Sequence, residues 1–291
     1  MTRPSWGMSA RLAAVRGAGS EAAAGGVSAP GVVSAFIRRD LAEGRLFRVS
    51  VVLDLGYGLV NLLIFWFISR VLHHPDPVAL DGAATFFDFV AVGLAFMLVV
   101  QATCTQAISR IQEHQRTGTL EATTALPVSG HVVAVGWGVY PMLLGIVRSA
   151  LYLGLAQMLL GLTVGHADWL GVTVVLVLGA VAALGLGIAL AALAVGYAHG
   201  AAAGRLAVVG VGFLSGTYFP VASLPVPWRW ISAALPTRMA IDGLRTALTG
   251  GAWGAIALLL AAATAVCLPC STWLFTRALA RSRRKGTLAR G

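Results

Sequence analysis

Six stretches of this chain are apolar from end to end, near residues 50–72, 86–109, 132–162, 169–198, 203–217 and 253–277, with at most two charged side chains in each. Apolar length of this kind decides the fold class before any motif is read. About 20 such residues in a helix cover the ~30 Å hydrocarbon core of a bilayer. Inside that core every backbone N–H and C=O must be paired within the protein, which a helix does by itself. Charged residues make up only 11% of the 291, against about a quarter in a soluble domain. The expectation is an all-α membrane protein with six transmembrane helices. The third and fourth stretches are longer than a crossing requires and should project beyond the hydrocarbon, whereas 203–217 is short.

The net charge of +10 would suggest nucleic acid in a soluble protein, but here the positions of the cations matter more than their sum. Seven arginines precede residue 49 (Arg3, Arg11, Arg16, Arg38, Arg39, Arg45 and Arg48), and Arg277, Arg281, Arg283, Arg284, Lys285 and Arg290 close the chain. No aromatic residues interleave with the closing cluster, so it reads as membrane-flanking charge and no nucleic-acid partner is expected. With the N-terminus in the cytoplasm, Arg110, Arg116 and Arg205 join these clusters on that side. Only Arg70, Arg229, Arg238 and Arg245 fall on the other, and Arg148 lies within a span. The bias predicts a multi-pass cell-membrane protein with both termini cytoplasmic.

Residues 1–30, rich in Ala, Gly, Ser and Arg, read as a disordered cytoplasmic tail without a signal-peptide-length apolar run. The membrane domain is expected over 31–280, with a basic tail at 281–291. At its start Val33, Phe36, Ile37 and Leu41 recur at helical spacing beside Arg38, Arg39 and Glu43, the pattern of an amphipathic helix lying on a membrane surface. The external segment 216–252 holds four prolines and several aromatics. It predicts a re-entrant or interfacial pair of short helices between the fifth and sixth spans, because irregular backbone at membrane depth must be shielded by protein.

One polar stretch interrupts the apolar pattern on the cytoplasmic side, RIQEHQRTGTLEATTALPVS at 110–129. Gly118 is a natural break, so the second span should run on to about Arg116. A short helix then starts at Thr119, with Glu121 in its first turn, where the helix dipole favours an acid. Pro127 ends it near Ala125. Two turns of helix are marginal alone in water, so a partner or the adjoining spans must hold it. The mixed charges Arg110, Glu113, Arg116 and Glu121 suit recognition better than catalysis; a solvated loop with a stray helical turn is the plainer alternative.

The run EHQRTGTLEATTALPVS resembles the cytoplasmic segment after the second span in ABC-2 type transporter permeases, with a Glu, then GTLE, then a short gap and a Pro. GTYFPVASLP followed by LPTR resembles that family's segment between the fifth and sixth spans, and the similarity covers roughly residues 31–280. The resemblance implies the membrane-spanning half of an ATP-driven exporter, working as a homodimer or heterodimer of permease copies with a separate ABC ATPase subunit. It implies that Glu113, Arg116, Gly118, Thr119, Leu120 and Glu121 form or shape a coupling helix seated in that subunit. The chain contains no G-x-x-x-x-G-K-[ST] to cradle phosphates, so ATP and magnesium are expected on the partner and no cofactor on this chain.

Other polar positions carry two readings each. Arg148, mid-span, should face protein or water because a central arginine is costly in lipid; it lines a translocation pathway or pairs with Asp54 or Glu113. Asp54, Tyr57 and Asn61 on the first span are further pathway or inter-helix candidates, and Asp88 is expected to be solvated near the outer end of the second. Gly212 and Gly216 form a GxxxG suited to a two-fold interface, among many chance matches in a chain with 35 glycines. Tyr218, Phe219 and Pro220 form an outer gate or an apolar plug. Arg238, Asp242 and Arg245 are spaced for a local ion network. His73, His74 and Asp76 are more simply solvated than metal-binding. Cys104, Cys267 and Cys270 read as buried apolar thiols, without a surrounding redox fold.

The exported molecule is left as a lipophilic drug-like compound, a lipid or a lipid-linked glycan. A membrane-embedded lipid-modifying enzyme would need converging carboxylates or a metal cluster in the spans, and the eleven acids are scattered singly. A scaffold without transport is the other alternative.

Overall fold

The computed structural model describes residues 47–71, 83–117, 130–163, 167–197 and 199–285; within these, side chains are described at Gly56, at 58–71, and from 83 onward except at 130 and 283–285. The described residues form eight α-helices and no strand: α1 Phe47–Val71, α2 Phe86–Arg116, α3 Gly130–Leu160, α4 Trp169–Gly196, α5 Gly200–Leu214, α6 Val226–Ala234, α7 Pro236–Leu248 and α8 Gly254–Lys285. Four of them, α2, α3, α4 and α8, are long and apolar enough to cross a membrane. The apolar part of α1 described in full, Gly58–Val71, and α5 are shorter. The expected amphipathic helix near 31–49 falls almost wholly outside the described residues, as do the 1–30 tail, the 286–291 end and the His73, His74, Asp76 loop.

Local chemistry fixes where the helices start and stop. Thr85 caps α2, its hydroxyl accepting from the Asp88 N–H at 3.1 Å. Asp168 caps α4, one carboxylate oxygen accepting from the N–H groups of Leu170 at 3.0 Å and Gly171 at 3.2 Å. At the end of α2, the Thr117 backbone N–H and hydroxyl both donate to the Glu113 carbonyl, at 2.9 and 2.8 Å, satisfying a terminal acceptor. Prolines open α6 and α7, where a missing N–H costs nothing.

The helices alternate in direction. One end of the bundle, here the lower, holds Arg116, the start of α3, Gly196, Gly200 and Lys285; the upper holds Val71, Phe86, Leu160, Trp169 and Gly254. At its centre stands α4, packed against α8, α2, α7, α5 and α3. Small residues permit this: a methyl at Gly187 would lie 3.3 Å from the Thr103 carbonyl, and one at Gly179 would lie 2.8 Å from the Ala240 side chain. The main core joins Phe96, Val99, Cys104, Ile108, Val175, Ala183, Ile241, Leu260 and Phe275. A second core at the upper end joins Leu62, Phe87, Phe89, Val90 and Tyr152 of α1, α2 and α3.

Two levels matter for the site. Gly212 of α5 meets Met97, about 16 Å along α2 from Phe86. The 15-residue α5 therefore stops short of the upper end. From there α7 climbs along α4: Ala240 lies at Gly179, Gly243 at Val175, and the Ala247 carbonyl accepts the Asp168 N–H at 2.9 Å.

Candidate functional site

At the lower end, α2 continues past the hydrocarbon length to Arg116, where Glu113 and Arg116 are exposed. Neighbouring side chains bind this tip to two other helices. His114 stacks on Trp137 of α3 with ring centroids 4.7 Å apart and planes 13° from parallel. Arg205 of α5 donates to the Gln112 side-chain carbonyl. The α2 tip is thus fastened to both α3 and α5. Gly118, Thr119, Leu120 and Glu121 lie outside the described residues, as does all of 118–129.

Arg148 sits half-buried midway along α3, next to the fully buried Ser149. Of its two proposed partners, Glu113 is out of reach. One turn beside Arg148, a methyl at Gly145 would lie 2.9 Å from the Cα of Val99, and Glu113 is about 21 Å further down α2. Asp54 is at the right level. Gly58 of α1 meets Tyr152 of α3 on a parallel helix, and Asp54 and Arg148 each lie one turn below that contact. The side chains of Asp54 and Tyr57 are outside the described ones; Asn61 is half-exposed on α1.

The upper half holds a buried polar seam. Arg245 of α7 is 3% exposed, its guanidinium 3.5 Å over the Phe89 ring. It donates to the Phe89 carbonyl at 2.9 Å and to the Gly216 carbonyl at 2.8 Å, and pairs with Asp242 at 3.7 Å. Asp242 also accepts from Arg238 at 3.3 Å. Around this, Ser215 and Thr237 share a 2.6 Å hydrogen bond, and Ser232 donates to the Leu214 carbonyl at the end of α5. Gly93 makes room for the seam: a methyl there would strike the Thr217 backbone, 2.8 Å from its oxygen. Beside it, Tyr218 packs against Phe65 of α1 at 6.1 Å and Phe213 of α5 at 5.3 Å, and Phe213 also meets Phe219 at 6.2 Å. Pro220 leads into a 3-10 turn at Val221–Ser223.

Several expectations are corrected by this geometry. Gly212 and Gly216 share no helical face: α5 ends at Leu214, and Gly216, at φ +73°, forms the left-handed turn beyond its cap. Gly212 is buried against Met97 inside the subunit. Asp88 is buried, not solvated, and accepts from the Thr163 hydroxyl at 2.6 Å and N–H at 3.2 Å. Of the cysteines only Cys104 is buried; Cys270 is exposed on the outer face of α8.

A comparison with family models matches the ABC-2 type transporter model over residues 35–249. The chain belongs to the ABC-2 type transporter family. It is the membrane component of an ABC transporter, a transport permease. Among curated proteins the comparison finds no match. The matched region takes in the α2 tip, the polar stretch after it and the whole upper seam. Sequence reading of this permease missed three contacts, Gln112–Arg205, His114–Trp137 and Arg245–Phe89. The first and last left a faint signal: Arg205 is the single Arg or Lys between Arg148 and Arg229, and Arg245 is a cation one turn from the end of an otherwise well-patterned helix.

Proposed function

We propose that this ABC-2 permease is the translocating half of an ATP-driven exporter that carries a lipophilic molecule, a lipid or a lipid-linked glycan out of the cytoplasm. The observation that carries the reading is the family match across the α2 tip and the GTLE segment, together with an exposed acid and base at the tip. The lower end lies in the cytoplasm in this reading, an orientation that the excess of arginine and lysine there supports. An ABC ATPase subunit, holding ATP and magnesium, docks on Glu113, Arg116, Gly118, Thr119, Leu120 and Glu121. ATP binding closes the ATPase pair and pushes this segment. Two permease copies face each other, and their bundles switch between discrete inward- and outward-open states.

Six helices cross the bilayer in this reading, α1 to α5 and α8, with α5 ending at membrane depth. The segment from Ser215 to Leu248 then dips and climbs as a re-entrant element, with Arg245 satisfying the Gly216 carbonyl, Ser232 the Leu214 carbonyl just before it, and Thr237 the Ser215 hydroxyl. Tyr218, Phe219 and Pro220 plug the outer side. Arg148, at the level of Asp54, provides a polar station midway along the α1–α3 contact and pairs with it across the helices, with Tyr57 and Asn61 nearby on α1.

The test is enzymatic. Purified alone, the permease should hydrolyse no ATP; co-expressed with its ATPase subunit it should give vanadate-sensitive turnover. Glu121→Arg should weaken co-purification of that subunit while membrane insertion stays intact. Substantial turnover by the isolated chain, or unchanged co-purification of the variant, refutes the division of labour.

A further inference from the structure

The lower end of α8 carries charges that nothing in the described structure neutralises. After Asp242 the sequence contains no acidic residue, yet Arg277, Arg281, Arg283, Arg284, Lys285 and Arg290 follow. Arg277 and Arg281 are both exposed, and neither has an acidic partner among the described residues. Arg277 is nevertheless held in place: its guanidinium lies 3.9 Å over the exposed ring of Trp273, one turn earlier. Such a cation–π stack leaves the edge N–H groups of the guanidinium free to donate.

The depth of this pair follows from helix geometry. Trp253 stands just before α8 at its upper end, and the twenty-residue step to Trp273 measures about 30 Å, the thickness of the hydrocarbon core. Tryptophans prefer both edges of that core. Arg277 is therefore about 6 Å beyond the lower edge, within the headgroup layer, and Arg281 one turn further. The direction they face follows as well. Leu259 (60% exposed), Val266 (72%) and Trp273 (48%) recur every seven residues as an outward apolar stripe. Residue 277 lies about 40° from Trp273 around the helix and residue 281 about 80°; both are exposed, so Arg277 continues the lipid-facing stripe and Arg281 flanks it, outside the bundle interior. The same Trp-to-Arg step of four residues occurs at the upper edge, where Arg70 lies 4.2 Å over Trp66 at the end of α1.

We propose that Trp273, Arg277 and Arg281 form a binding site for the headgroup phosphate of an anionic phospholipid in the cytoplasmic leaflet. The ring fixes the first guanidinium, whose paired N–H groups suit two phosphate oxygens, and the second adds charge from one turn below. Exposed basic residues just beyond a span attract anionic lipid by this route. The assignment to the cytoplasmic leaflet rests on the sidedness proposed above; the binding itself does not.

The experiment uses the full-length permease in nanodiscs of phosphatidylcholine and phosphatidylglycerol, which offer both leaflets. Lipid retained after a detergent wash is counted by mass spectrometry. Wild-type protein should keep phosphatidylglycerol in preference to phosphatidylcholine, and each of Arg277→Gln and Arg281→Gln should lower that preference roughly fivefold. Trp273→Leu, which keeps the edge apolar but removes the platform, should lower it as well. A preference unchanged in the Arg277→Gln, Arg281→Gln double variant overturns the site, as does one unchanged in Trp273→Leu. Inorganic phosphate added to the wash should displace nothing; displacement would reassign the site to a soluble anion and sink the lipid proposal. Intact lipid preference combined with lost co-purification of the ATPase subunit would give this surface to that subunit instead.

Discussion

Arg245 shows what a single buried cation does in an apolar protein. Burying a guanidinium is tolerable only when its donors are filled, and here the acceptors are backbone carbonyls on two different elements, Phe89 of α2 and Gly216 after α5. Arg245→Met should therefore destabilise the protein by about 1.5–3 kcal/mol, the usual worth of a hydrogen bond to a charged group. Gly93→Ala tests the same junction without touching charge. Its new methyl meets the Thr217 backbone, which cannot swing away as a flexible side chain would, so a loss of about 1–3 kcal/mol is expected. Thermal unfolding in detergent checks both; wild-type midpoints in both variants would mean the seam holds nothing together. The spacing of Arg238, Asp242 and Arg245 was legible as an ion network and the two pairs are present. That Arg245 also reaches α2 was not, because a carbonyl has no sequence signature and Gly93 looks like any glycine in a helix.

Among the elements, the apolar runs were legible nearly to the residue where a cap or a break punctuates them. The second span was expected to reach Arg116 and does. Errors arose where contacts with neighbouring helices decide the boundary. The fifth apolar stretch spans 203–217, but its helix begins at Gly200, packed on the Leu193 carbonyl, and ends at Leu214, where Gly216 turns the chain. The last helix runs to Lys285, beyond the expected 277, because basic residues are good helix formers and complement the negative end of the dipole. The start of α4 offers a pH test. The Trp253 indole N–H, 2.7 Å from the second Asp168 oxygen, followed by the Gly171 and Leu170 amides, holds this carboxyl below the usual carboxylate range. A lowered value means the contribution is complete above the unfolded-state value near pH 4 and fades as pH falls through the folded one. Asp168→Ala should lower the unfolding midpoint by a few degrees at neutral pH. The gap from wild type should narrow in strong acid; a gap that does not change with pH would show that the carboxylate charge plays no part.

On the scale of the whole molecule, α2 is the member that joins the two ends. Its lower tip is tied to α3 and α5 through His114 and Gln112, and its upper turns to the 161–163 segment and to α7 through Asp88 and the Phe89 carbonyl. In the exporter proposed above, a push on the segment after Arg116 would in this way be shared by the helices around it. The class of the protein was legible because hydropathy and helix length are properties of the chain itself. Its family was legible only through the GTLE and FPVASLP runs, since hydropathy alone does not say which surface the polar stretch after Arg116 is there to meet. The most direct measurement of that meeting places one cysteine at Glu121, with Cys104, Cys267 and Cys270 replaced, and labels it with a membrane-impermeant maleimide in vesicles of either orientation. Labelling is expected only where the cytoplasmic face is exposed, with protection when the ATPase subunit is co-expressed. Labelling from the outside, or labelling that the subunit leaves unchanged, would contradict docking at this segment from the cytoplasm.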